Sequence, residues 1–299
     1  MRSQLRNRRQ WPLDLLPPSP DPSKVIVDFH THIFPPDVRD RRDEYLRDDP
    51  TFRDMFADPK SQVVTAEDLL ASMKEAGVDV SVALGFAWSD HEACVRHNDY
   101  LLETAARSND RIVPFCTANP ADRRFGAEVE RCAAAGARGV GELRPDNQGW
   151  DLAGAPGQML ALLAANHQLG LLFHVTEEGG HEYPGKNGCT LSSFREFAAE
   201  NADLPIIGAH LAGDVYRHDA PPPVFADTAA QPYLYPNDAA EPALAAVPSE
   251  RLLFGSDYPL ISQKRQLAEI ERAVPDRSAR DRILGGNASE LLALVSVKS

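Results

Sequence analysis

Residues 25–36 read Val-Ile-Val-Asp-Phe-His-Thr-His-Ile-Phe-Pro-Pro, an apolar run that ends in two histidines and breaks on two prolines. Apolar residues sit on consecutive positions rather than alternate ones, the pattern of a strand covered on both faces, as in a parallel sheet. An open doubly wound sheet would place a Gly-rich phosphate loop directly after such a first strand. Here that place holds His-Thr-His-Ile-Phe-Pro-Pro, which disfavours that architecture.

Seven more short apolar runs follow, beginning near Val78 (VDVSVALGF), Ile112 (IVPFCTA), Ala137 (ARGVGEL), Gly170 (GLLFHVT), Leu204 (LPIIGAHL), Val224 (VFADTAA) and Leu252 (LLFGSDYP). Amphipathic segments separate them. Thr65 can cap a helix, Asp68 three residues on approximates a capping box, Leu69, Leu70 and Met73 recur at helical spacing, and Gly77 ends it. Segments 91–108, 125–135, 155–168, 192–201, 262–274 and 278–294 read the same way, while Pro221, Pro222 and Pro223 leave little room for a helix after the sixth run. Strand–helix alternation about eight times, in a chain near the roughly 250 residues typical of the fold, predicts one α/β domain, a single (β/α)8 TIM barrel over residues 24–299. Residues 34–64 form a long insertion after the first strand, rich in Pro, Asp and Arg with Tyr45, Phe52 and Phe56, placed to act as a lid over the mouth. Residues 1–23 read as a flexible, Pro-rich N-terminal extension.

The formal net charge is −13, which argues against a nucleic-acid partner and for a small-molecule substrate. Cys94, Cys116, Cys132 and Cys189 are scattered without a C-x-x-C pair, which fits a reduced compartment and no thiolate zinc site. Arg8-Arg9 is followed by no apolar stretch, and nowhere do eighteen apolar residues run together. The expectation is a cytoplasmic protein that does not contact a membrane.

Period two along a strand puts His30 and His32 on one face, where two imidazoles can grip one cation. His174 ends the fifth run, His210 the sixth and Asp257 the eighth, the end of a barrel where active sites are built. Burying five ionisable groups together without partners is costly, and a cation compensates them. Imidazoles with a carboxylate and no thiolate suit a divalent transition metal, zinc first, with manganese, iron or cobalt also compatible. Arg144, two residues after Glu142, is either a bidentate clamp for a substrate carboxylate or a loop charge. Trp88 with Phe86 supplies either an aromatic wall to the substrate or ordinary packing, and His181 lies in a Gly-rich loop within reach of substrate. His97, His167, His91 and His218 read as solvated or structural.

The His-x-His pair, then His, His and Asp on strands one, five, six and eight, resembles the amidohydrolase superfamily. DFHTHIFP, GVGELRP, LLFGSDYP and ILGGNASELL look like its amidohydrolase-related branch of TIM-barrel metal-dependent hydrolases, which also holds decarboxylases of the aminocarboxymuconate-semialdehyde type. The resemblance implies His30, His32, His174 and Asp257 as metal ligands, with His210 either a further ligand or a base or electrophile beside the metal. No lysine occurs in Gly139–Arg144, so a carboxylated-lysine bridge is not implied; Glu142 stands there either as a bridging ligand or in an ion pair. Relatives of this kind often form homodimers.

The expected reaction is hydrolysis of a small carboxylic amide, lactone or ester, with Asp257 taking a proton from a metal-activated water and His210 polarising the carbonyl. The alternative on the same residues is non-oxidative decarboxylation of an unsaturated or aromatic carboxylic acid. A third reading, of another class, is a non-catalytic metal- or ligand-binding barrel.

Overall fold

A computed structural model describes residues 25–294. The extension expected over residues 1–23 lies outside the described residues. Eight parallel strands, β1 (Val27–His32), β2 (Val80–Leu84), β3 (Ile112–Cys116), β4 (Gly139–Leu143), β5 (Gly170–Phe173), β6 (Ile206–Gly208), β7 (Phe225–Asp227) and β8 (Leu252–Leu253), lie side by side in chain order. The sheet closes on itself just beyond β8. Phe29 N–H donates to Phe254 O at 2.7 Å, Asp257 N–H to His30 O at 2.9 Å and His32 N–H to Tyr258 O at 2.8 Å. The chain is therefore the expected α/β TIM barrel, and each of the eight apolar runs contains one strand.

The barrel interior is filled by Val27, Phe29, Val80, Val82, Leu84, Phe115, Leu172, Ile207 and Leu253, all fully buried. Phe115 takes the space that two glycines leave open: a Cβ on Gly139 would fall 2.3 Å from its ring, and one on Gly170 3.2 Å. Gly139→Ala is accordingly expected to cost about 1–3 kcal/mol through overpacking, read as a lower melting temperature; an unchanged melt would contradict this account of the core.

Two strands lose register beside the rim. Pairing of β1 with β2 shifts between Asp28 and Thr31, and that of β4 with β5 between Val140 and Leu143. Such irregularities re-aim side chains, and here they flank His30 and Glu142.

Helix Ala66–Ala76 starts where Thr65 N–H and the Thr65 hydroxyl both donate to Asp68 Oδ2, and Gly77 ends it at φ 76°. Helices His91–Arg107, Phe125–Ala134, Ala155–His167, Leu191–Glu200 and Gln263–Ala273 lie where helical spacing places them. Segment 278–294 differs, because it is not one regular helix. A π turn at Arg282–Gly286 interrupts it, where Gly285 approaches the chain so closely that a Cβ would fall 1.7 Å from Val25 O. Helices Gln231–Leu234 and Asn237–Ala246 after β7 were not expected. Among the described residues, no helix is long and apolar enough to cross a membrane.

The insertion folds into three short helices, Pro36–Asp40, Arg42–Asp48 and Pro50–Phe56. Phe52 and Phe34 are buried with Phe86 and Trp88, the Phe52 and Trp88 rings stacking at 5.4 Å. Asp49 accepts from Phe52 N–H and Ser89 N–H, both at 2.9 Å, which ties the insertion to the loop after β2. Its aromatic residues Tyr45, Phe52 and Phe56 pack into that cluster.

Candidate metal centre and active site

The C-terminal ends of the strands bring six donor side chains together in two groups. His30, His32 and Asp257 form one, and Glu142, His174 and His210 the other; within each group the facing atoms lie within 4.8 Å of one another. His30 Nε2 is 3.1 Å from His32 Nε2 and 3.6 Å from Asp257 Oδ1, and His32 Nε2 is 3.4 Å from that oxygen. In the second group, Glu142 Oε1 is 2.8 Å from His174 Nδ1 and 3.5 Å from His210 Nε2, and the two imidazole nitrogens are 3.1 Å apart. Glu142 Oε2 reaches back to 3.6 Å from His32 Nε2, linking the groups. All six side chains are buried or nearly so. His174, implied by the resemblance beside His30, His32 and Asp257, instead falls with Glu142 and His210.

Each buried histidine is held from behind. His30 Nδ1 lies 2.8 Å from Asp227 Oδ2, His210 Nδ1 3.0 Å from Ala229 O and His174 Nε2 3.0 Å from Lys186 O. With those nitrogens carrying the protons, the opposite nitrogen of each ring turns its lone pair inward, the arrangement that metal-ligating histidines require. Asp227 was not singled out in the sequence, although its signal is there: VFADTAA ends an apolar run on a carboxylate, as LLFGSDYP does. Asp227 Oδ1 also accepts from His210 N–H at 2.9 Å, so one buried carboxylate positions two of the imidazoles. His210 and Asp257 adopt left-handed backbone, φ 58° and 61°, rare for residues with a side chain and concentrated at functional sites.

The donor set fits a cation. Ligands on a metal with bonds of about 2.1 Å sit about 3.0–3.4 Å apart in octahedral to tetrahedral geometry, close to the separations of 3.1, 3.4 and 3.6 Å in the first group. In the second, Glu142 Oε1, His174 Nδ1 and His210 Nε2 converge to separations of 2.8, 3.1 and 3.5 Å, a set of one carboxylate and two imidazoles. Electrostatics point the same way. Burial opposes charge on His30, yet Asp227, Asp257 and Glu142 raise its pKa to about 10. Burial likewise opposes charge on His210, and Glu142 with Asp257 raises it to about 9. His174 goes down to about 4, through burial and then the neighbouring Arg144. Burial pushes Asp257 and Glu142 up, but the surrounding imidazoles reverse this and hold both carboxylates well below their usual range. A pocket that draws protons onto two imidazoles is short of positive charge.

Arg144 is 2% exposed. Its Nη1 donates to Gly185 O and Asn187 O at 2.6 and 3.2 Å, and Nη2 lies 2.8 Å from His174 Nδ1. It is thus no exposed loop charge. Trp88 is buried against the insertion, its Nε1–H donating to His97 Nδ1 at 3.0 Å, and shows no surface to a substrate. His181 is exposed at the edge of the mouth, its Nδ1 2.9 Å from Leu234 O, and belongs to neither donor group. His97 is buried, with Nε2 2.8 Å from Ile33 O, and His218 pairs with Glu178 on the surface at 2.9 Å.

Several solved structures share this fold. A 5-carboxyvanillate decarboxylase from Sphingomonas paucimobilis aligns with a TM-score of 0.67 at 16% identity, covering 90% of this chain and 99% of that one. The 5-carboxyvanillate decarboxylase of Novosphingobium aromaticivorans, complexed with manganese and 4-hydroxy-3-methoxy-5-nitrobenzoic acid, aligns with a TM-score of 0.72 at 13% identity, over 93% and 98%. A 2,6-dihydroxybenzoate decarboxylase from Rhizobium gives 0.65 at 16% identity, over 91% and 99%. No curated protein sequence matches the chain. These neighbours overturn one expectation. Hydrolysis of an amide, lactone or ester was preferred from the residues, but the ligand set serves hydrolysis and decarboxylation equally, and the three neighbours above are decarboxylases. The family model described as Amidohydrolase matches residues 27–294, from the first residue of β1 to the end of the last described helix. A match over that much of the barrel, with the strand-end histidines and aspartate in place, shows that the chain belongs to the amidohydrolase family.

Proposed function

We propose that this protein is a metal-dependent, non-oxidative decarboxylase of a small aromatic or otherwise unsaturated carboxylic acid. The observation that carries the reading is the inward-turned cluster of imidazoles and carboxylates at the C-terminal rim, on a barrel shared with aromatic-acid decarboxylases. His30, His32 and Asp257 would hold the cation, with Glu142 and His174 next to them. Zinc is the proposed cation, and manganese, iron or cobalt suit the same donors. When bound, it supplies Lewis-acid polarisation of the substrate's oxygen atoms.

The protein's own residues do the rest. His210, anchored through Nδ1 on Ala229 O, presents Nε2 to the site and can act as the acid. The bond from ring or alkene carbon to carboxylate breaks, its electron pair stays on carbon, carbon dioxide leaves, and the His210 proton fills the vacated position. Solvent then returns a proton to His210. Burial of the cluster excludes bulk water from the developing carbanion.

The purified full-length protein is expected to carry stoichiometric transition metal by elemental analysis, and to release carbon dioxide from at least one member of a panel of hydroxybenzoic and unsaturated acids. Chelation should stop the release, and re-addition of metal should restore it. Turnover of lactones or amides without carbon dioxide release would refute the reading; metal binding with no turnover of either panel would favour a binding barrel.

A further inference from the structure

Strand β1 changes face halfway along. Val27 and Phe29 pack inside the barrel with Val80, Val82 and Leu172. Strict period two would then send His30 and His32 the other way, into the helical layer. They meet Asp257 and Glu142 at the mouth instead, because the register slips between Asp28 and Thr31. At the slip two backbone donors converge on one side-chain oxygen: His30 N–H and Ser256 N–H donate to Asp28 Oδ1 at 3.2 and 2.9 Å. Asp28 Oδ2 accepts from the Ser256 hydroxyl at 2.6 Å and from Gln263 Nε2–H at 2.8 Å. The carboxylate is fully buried, and four donors match what its two oxygens can accept.

The same contacts hold Asp257. The Ser256 hydroxyl also accepts from Tyr258 N–H at 3.0 Å, so the residues on either side of Asp257 are both tied to Asp28. Between them Asp257 keeps its left-handed backbone, φ 61°, and donates its N–H to His30 O at 2.9 Å. One carboxylate thus joins β1 to the loop that carries the third donor, 228 residues away in the chain. Without it, His30 N–H and Ser256 N–H would be buried donors lacking a partner, and a regular ladder with His30 turned outward would be lower in energy. We propose that Asp28 is the positioning residue of the first donor group. By accepting both amides it holds the slip in β1, and so keeps His30 and His32 turned inward at the spacing from Asp257 that one cation requires. An acceptor at the place of Oδ1 does this, not the negative charge. Gln263 differs in that it contacts only Oδ2, and with its second bond, to Ser81 Oγ at 3.0 Å, it serves stability alone. The inference rests on the cation site of the proposed function and not on the reaction carried out there.

Competition with a chromophoric chelator measures zinc affinity in full-length wild type, Asp28→Ala, Asp28→Asn and Gln263→Met, and the visible absorption of the cobalt-loaded proteins reports ligand geometry. Asp28→Ala is expected to weaken zinc by about 10–100-fold, the usual effect of losing a residue that holds metal ligands in place, and to alter the cobalt spectrum. Asparagine keeps one oxygen for both amides and can set Nδ2 against the Ser256 hydroxyl and Gln263 Oε1, which has no other partner. In Asp28→Asn zinc affinity should therefore stay within about threefold of wild type, with the cobalt spectrum unchanged. Gln263→Met should lower the melting temperature of the metal-free protein while leaving affinity and spectrum in place, which separates positioning from stability. Should Asp28→Ala not fold, Asp28→Ser replaces it: the shorter side chain cannot serve both amides, and a loss of at least about tenfold is expected. The proposal is overturned if folded Asp28→Ala or Asp28→Ser binds zinc within about threefold of wild type, if Asp28→Asn loses as much as Asp28→Ala, or if Gln263→Met weakens zinc in step with its lower melt. Carbon dioxide release is assayed separately, so this pattern of zinc binding in a protein without turnover upholds the positioning role and refutes the decarboxylase.

Discussion

Asp257→Asn is expected to lower kcat/KM by about 10³-fold or more while the barrel stays folded. Asp257 Oδ1 is the oxygen that faces both His30 and His32, at 3.6 and 3.4 Å, and is the anionic member of that donor group. Asparagine keeps the shape and an oxygen but removes the charge that offsets a cation between two imidazoles. The backbone at this position is left-handed, at φ 61°, and asparagine tolerates that conformation better than most residues. The substitution therefore separates charge from fold. Metal content should fall below that of wild type, and thermal melting of the chelated proteins should agree to within a few degrees. Full turnover in the variant would show that the first donor group does not hold the working cation. A collapsed melt would instead assign Asp257 to the fold.

The barrel was readable because parallel strands buried on both faces leave continuous apolar runs, and every run from VIVDFHTH to LLFGSDYP holds one strand. The rim residues were readable for the complementary reason: a His or Asp terminating such a run has no other solvent-free place to go. By the same rule Asp227 stands at the end of the seventh run, but the resemblance places its ligands on strands one, five, six and eight and none on the seventh. What Asp227 does depends on His30 and His210 arriving from strands far away along the chain. The helix Asn237–Ala246 carries two residues that ordinarily break a helix, but Pro236 precedes its first turn and Pro242 is accommodated inside. The π turn in the last helix leaves no mark on the apolar spacing; its cause is the approach of Gly285 to Val25, a tertiary fact. Trp88 shows the limit on side-chain direction. An aromatic residue after β2 faces either the mouth or whatever covers it, and only the folded insertion, with Phe52 stacked on the indole, settles the choice.

Metal affinity is expected to climb steeply with pH, and the number of protons displaced should report whether His210 is a ligand. In the metal-free site His30 is raised to about 10 and His210 to about 9, so both are protonated at neutral pH. A cation bound at His30 Nε2 must expel that proton, because Nδ1–H stays on Asp227. Each proton expelled contributes about tenfold in affinity per pH unit until the pH passes the metal-free pKa. From pH 6 to 8 these two groups should lower the dissociation constant by about 10²-fold if His30 but not His210 is among the ligands, and by about 10⁴-fold if both are. Competition with a chromophoric chelator gives the slope, and calorimetry in two buffers of different ionisation enthalpy counts the protons. Folded-state stability without metal carries the opposite signs. The raised pKa values of His30 and His210 stabilise the metal-free fold fully below the unfolded value of about 6.5, and that contribution disappears as pH rises through about 9 and 10. His174, depressed to about 4, is stabilising as the neutral ring above about 6.5 and loses this as pH falls toward 4. Bound cation removes the alkaline loss, because it replaces the protons as the positive charge that Glu142, Asp227 and Asp257 require. Melting curves of chelated and loaded protein should therefore diverge most between about pH 8 and 10. Affinity that is flat with pH, together with curves that stay parallel, would mean that these imidazoles are not where the cation binds.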